Sequence, residues 1–101
     1  MANRLELHEV LCKILGSRNV YYQPPASVKM KYPAIVYSRS SIDNSYANNS
    51  VYNQMTAYDV IVIDSDPDTP LIEVMSKLPL CRFVRHYVAD NLNHDLFILN
   101  F

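Results

Sequence analysis

Val60-Ile61-Val62-Ile63 is four β-branched residues in a row, and this run does most to limit what the chain can fold into. Consecutive side chains on a strand point to opposite faces, so a run with no polar member is apolar on both. A helix is expected to cover one face and something else the other. The run ends a longer segment, Gln54 to Asp64, which reads as the strongest strand of the chain. With 101 residues there is room for one core and not for two. Half of the residues are hydrophobic and 19% are charged, a globular composition.

Asn3 to Leu15 reads as a helix. Leu7, Val10, Leu11, Ile14 and Leu15 fall at helical spacing and make one apolar stripe. Asn3 is placed to cap its start, and Gly16, the single glycine, stands where a left-handed C-terminal cap is wanted. A short β-type run, Asn19 to Gln23, is closed by Pro24-Pro25. Pro33 introduces a second strand, Ala34-Ile35-Val36-Tyr37-Ser38-Arg39. From Ser40 to Asn53 the chain turns to Ser, Asn and Tyr, and a long polar loop or wide hairpin tip is expected at 40–53.

After Asp64, the segment Ser65-Asp66-Pro67-Asp68-Thr69-Pro70 leads into a second helix, with Asp68 or Thr69 as its cap. Leu71, Ile72, Met75 and Leu78 form its stripe and Pro79 ends it. Strands at about Cys81 to Ala89 and Asp95 to Phe101 flank a polar turn over residues 90–94. The expected fold is α+β: two helices packed on one face of a mostly antiparallel four- to five-stranded sheet.

Chemistry finds little to work with. Asp64, Asp66 and Asp68 match positions one, three and five of a calcium loop, but Thr69 replaces its glycine and Met75 its bidentate glutamate. Three acids before a helix are accounted for by capping and by the helix dipole, so no metal and no cofactor is expected. Asp59, Asp64, Glu73 and Lys77 are a faint version of a metal-dependent nuclease set, yet Glu73 and Lys77 stand at the spacing of a surface ion pair. His8, His86 and His94 lack metal-ligand spacing, and no nucleophile elbow or phosphate-binding glycine loop is present. Cys12 and Cys81 belong to no paired motif and read as reduced, packed thiols. The net charge of −1 and scattered basic residues give no stripe for specific nucleic-acid binding. No apolar run is long enough for a bilayer, and the start reads as a helix rather than a signal peptide. The chain is expected not to be an enzyme.

Protein contact fits better. Among eight tyrosines and no tryptophan, Tyr46 and Tyr52 stand beside Asn48 and Asn49 in the polar segment, a composition suited to interfaces. In the last strand Phe97, Leu99 and Phe101 alternate with Leu96 and Ile98, so both faces need cover. Tyr46, Asn48, Asn49, Tyr52, Phe97, Leu99 and Phe101 are therefore the expected subunit-interface residues.

The order of features resembles the tail-terminator family of long-tailed bacteriophages and the related tail-completion and neck proteins. The likeness runs through the N-terminal helix, Asn19-Val20-Tyr21-Tyr22-Gln23-Pro24-Pro25 and Tyr32-Pro33-Ala34-Ile35-Val36-Tyr37, then the polar segment. It continues through Tyr58-Asp59-Val60-Ile61-Val62-Ile63, the second helix and the closing hairpin. Asn and Ser stand where the family often has an arginine- and glycine-rich loop. The resemblance implies one tail-terminator-like domain over residues 1–101 in a structural virion protein assembled in the host cytoplasm. Such a protein forms a homo-oligomeric ring, commonly a hexamer, on the head-proximal end of the tail tube. Its implied partners are itself, the tail tube protein and a neck or head-completion protein, with DNA passing through the ring and no membrane involved. A head-completion protein at the portal is the alternative, and a small metal-dependent nuclease the rival from another class.

Overall fold

The computed structural model describes residues 4–25, 29–47 and 50–101, with the backbone alone for 41–47 and 50–55. In chain order the elements are α1 (Arg4–Leu15), β1 (Val20–Tyr22), β2 (Ala34–Ala47), β3 (Ser50–Asp64), α2 (Leu71–Ser76), β4 (Cys81–Ala89) and β5 (Leu92–Asn100). The five strands form one mixed sheet in the order β1-β2-β3-β5-β4. Only β1 and β2 run parallel; every other pair is antiparallel. The α+β expectation holds.

The doubly apolar run of β3 lies in the middle strand of the sheet, between β2 and β5. Register places Ile35 opposite Val62 and Tyr37 opposite Val60 on one side. On the other, Phe97 lies opposite Val60 and Leu99 opposite Tyr58. These residues share one sheet face, and they form a single buried cluster with Leu7, Leu11 and Cys12 of α1 and Leu71 and Met75 of α2. The stripe of α1 turns slightly from the expected one. Cys12 is buried while Val10 is only half-buried, because the small thiol fits close to the sheet. Both cysteines are free, and burial pushes the Cys81 thiol up from its ordinary value.

Gly16 closes α1 as its composition suggests. Its φ is +77° and its amide donates to Cys12 O at 2.9 Å, a conformation in which any Cβ is strained. Asn3, the expected cap of α1, lies outside the described residues. The start of α2 differs from expectation: Pro70 occupies the N-cap position, without a side-chain cap bond. Thr69 serves from one residue further out, its Oγ1 accepting from Leu71 N–H at 3.4 Å.

Two boundaries are corrected. The five-residue turn at 90–94 is only Asp90-Asn91, with φ of +54° and +62°, and Ala89 pairs directly with Leu92. Two successive left-handed residues are what a tight two-residue hairpin requires. Of the two forms expected for the polar segment at 40–53, a loop or a wide hairpin tip, the described residues take the hairpin. Ser41 to Ala47 pairs residue by residue with Ser50 to Ala57, with register shifts beside Ser40 and Tyr46. Low aliphatic content argued for a loop, but backbone pairing across a hairpin needs no apolar side chain.

Candidate assembly surfaces

The sheet face turned away from the buried cluster is built from the alternate residues of each strand. Register sets Tyr21, Val36, Ile61 and Leu96 in one row across β1, β2, β3 and β5, with Arg85 of β4 at its end. The next row is Ser38, Asp59, Ile98 and Arg82. Ile61 sits at the centre of the sheet, yet it remains half-buried, as do Val36, Leu96 and Ile98. On the cluster side, by contrast, Val60, Val62 and Phe97 are fully buried. The rim carries exposed Arg82 and Arg85, and Tyr87 stacks on His94 with ring centroids 4.8 Å apart. An apolar centre inside a polar rim is the ordinary anatomy of a protein interface. At the β1 end the face is closed. Lys31 N–H donates to Tyr21 Oη at 3.3 Å, which brings the β1–β2 connection to that side, and Ala34 and Ile63 are buried.

The second surface is an arm. β3 pairs with β5 only from Ala57 onward, with one further pair of bonds between Thr56 and Phe101. β1 pairs only with Ile35, Val36 and Tyr37 of β2. The β2–β3 hairpin beyond those points is a two-stranded ribbon about 20 Å long at the usual rise per residue. The molecule measures 51 × 27 × 23 Å with a radius of gyration of 14.6 Å, against about 13 Å for a compact chain of this length.

These surfaces redraw the interface expected from sequence. Phe97 and Leu99 are buried in the chain's own core at 0% and 3% exposure, so neither is free to touch a partner. The β5 side chains on the open face are Leu96 and Ile98 instead. Phe101 packs partly buried against the core. Tyr46 and Tyr52 lie on the arm, and Asn48 and Asn49 lie outside the described residues.

The carboxylates of Asp64 and Asp66 brace the turn that leads into α2. Asp64 Oδ1 accepts from Asp66 N–H at 3.1 Å, and Asp66 Oδ1 from Asp68 N–H at 2.9 Å. Among the described residues no group of three or more His, Cys, Asp or Glu is arranged to hold a metal. Glu73 and Lys77 form an exposed i,i+4 ion pair at 3.3 Å. No described helix is long and apolar enough to cross a membrane.

Two polar arrangements were not expected. His86 Nδ1 lies 2.8 Å from Oδ1 of Asp95, a buried carboxylate at 5% exposure. Asp95 borders an open groove of about 620 Å³ that Thr69, Ile72 and Phe83 also line. The pair follows from the β4–β5 register, which the two-residue turn determines and a five-residue turn hides. The other is a tyrosine cluster. The Tyr37 ring lies 4.9 Å from Tyr22 and 6.0 Å from Tyr58, and its hydroxyl meets His8 Nδ1 at 2.8 Å and Arg4 Nη1 at 3.4 Å. Arg4 also stacks over the Tyr22 ring at 4.4 Å. Burial raises the Tyr37 and Tyr58 hydroxyls above the ordinary 10.0.

Compared with known proteins, the sequence matches no family model and no curated protein.

Proposed function

We propose that this chain is a structural subunit of a phage virion. It forms a ring on the head-proximal end of the tail tube, stops tube growth and docks the tail to the head or neck. The observation that carries the reading is the open sheet face: Val36, Ile61, Leu96 and Ile98 stay half-buried in the three inner strands. Both helices contribute side chains to the cluster on the other face, and on this reading the open side is left for other subunits, since large uncovered apolar patches on small domains mark interaction sites. The sequence resemblance supplies the kind of assembly. A tube grows by heterologous contacts that do not close by themselves, so a subunit that ends it presents one surface to the tube and a different one to the neck. The open face and the arm are two separate surfaces, available for contacts within such a ring and with its neighbours.

The test is a deletion strain viewed by electron microscopy. Full capsids beside unattached tails of irregular length are expected. Unattached tails of uniform, normal length would move the protein to the head side, as a completion protein at the portal.

A further inference from the structure

We infer that the β2–β3 arm of one copy adds to the free edge of β4 in the next copy, joining subunits head to tail. This rests on the reading of the chain as a ring subunit and names the contact that would build the ring. A two-stranded ribbon is marginally stable in water by itself. Beyond Thr56 and Tyr37 the arm has no third strand among the described residues, so both its edges offer backbone donors and acceptors for pairing. Strand addition is the usual way such groups are satisfied between chains.

The complementary edge lies on the far side of the sheet. β4 pairs with β5 alone. It is nine residues long, enough to match the seven of Ser41–Ala47. Most of it is exposed, with Phe83 at 46% and Val88 at 65%. A long exposed edge with apolar side chains is a template for another strand. The edge at β1 is a poor rival, since β1 has three residues and is followed closely by Pro24-Pro25.

Charge selects the pairing. From residue 41 to 56 the only charged residue is Asp43. β4 carries Arg82, Arg85 and His86 and no carboxylate. Two β4 edges side by side would set these arginines against their own kind, which disfavours a two-fold dimer. Arm on edge brings opposite signs together and is heterologous, the geometry that gives a ring when its rotation closes.

The experiment mixes two variants, each lacking one half of the contact. In the first, residues 43–55 are replaced by Asn-Gly between the paired Ile42 and Thr56, which shortens the arm and keeps β4. In the second, Val84→Pro blocks the β4 edge at the position where register with β5 already slips; Arg82→Glu with Arg85→Glu serves in its place if the proline unfolds the strand. Circular dichroism and thermal unfolding establish that each is folded. Light scattering is expected to give an oligomer for the wild-type chain and one-chain mass for each variant. Their mixture should reach the mass of two chains and stop there, because only one arm and one edge remain to meet. A shortened-arm chain that assembles like wild type, or a mixture that stays at one-chain mass, overturns the arm-to-edge contact and leaves the ring reading standing. A wild-type chain that remains monomeric up to millimolar concentration overturns both.

Discussion

Tyr37 is fully buried, yet its hydroxyl must be satisfied, and His8 and Arg4 of α1 reach down to it. The sequence shows a tyrosine in a strand; it does not show that two polar residues of a helix 29 and 33 positions earlier converge on it. The consequence is measurable in alkali. The unfolded chain loses the Tyr37 proton near 10.0, and the folded chain holds it to higher pH. The folded state therefore binds more protons above pH 10, and stability falls as pH rises. Denaturant melts from pH 9 to 11 should show that decline, and Tyr37→Phe should make it shallower. Leu80 is the opposite case, a side chain whose cost comes from the backbone. It is 60% exposed with φ at +58°, a conformation that costs a residue with Cβ about 1–2 kcal/mol. Leu80→Gly is expected to stabilise the fold by up to about 1 kcal/mol once the entropy of glycine is counted, read as a higher urea midpoint at unchanged slope.

Among the elements, α1 and the strand around Val60 were legible because each carries a continuous periodic signal: a helical stripe closed by Gly16, and a β-branched run. The last hairpin was legible in existence and misread in register. Asp90-Asn91 is followed by Leu92, Asn93 and His94, and a polar composition over 90–94 looked like one turn, although only two residues there adopt left-handed φ. Those three extra residues belong to β5, and moving them sets His86 opposite Asp95. If the turn is the determinant, Asn91→Gly should keep or raise stability by a few tenths of a kcal/mol. Asn91→Val should lower it by about 1–3 kcal/mol. The arm was legible only as one of two alternatives, a loop or a hairpin tip, for a different reason. Its Ser, Asn and Tyr residues carry no apolar alternation, and strand pairing there is dictated by the adjoining β2–β3 ladder. Amide exchange across 41–47 and 50–55 should be fast in the isolated subunit and slow by at least tenfold on assembly, as expected for a ribbon with few supporting contacts.

At the scale of the whole molecule, the sheet has one buried face and one half-buried face, and β5 contributes to both in alternation. Sequence alternation identified the two sets, Phe97 with Leu99 and Leu96 with Ile98, but not which of them the subunit covers for itself. That depends on the side of β3 to which α1 and α2 contribute Leu7, Leu11, Leu71 and Met75, a tertiary choice with no local signal. The sets should separate in a paired measurement on single alanine variants. Phe97→Ala and Leu99→Ala remove fully packed side chains and should cost about 2–5 kcal/mol, read as a lower melting temperature of the isolated subunit. Leu96→Ala and Ile98→Ala remove half-exposed groups and should cost the subunit about 1 kcal/mol or less. On the proposed assembly their effect belongs to association, where each lost methyl group would reduce the apolar area two copies hide together. Light scattering should therefore show assembled mass falling for Leu96→Ala and Ile98→Ala at concentrations where their melting temperatures remain near wild type. Four variants that all unfold the subunit alike would make β5 a strand covered on both faces within one chain, and the open face would lose its role in assembly.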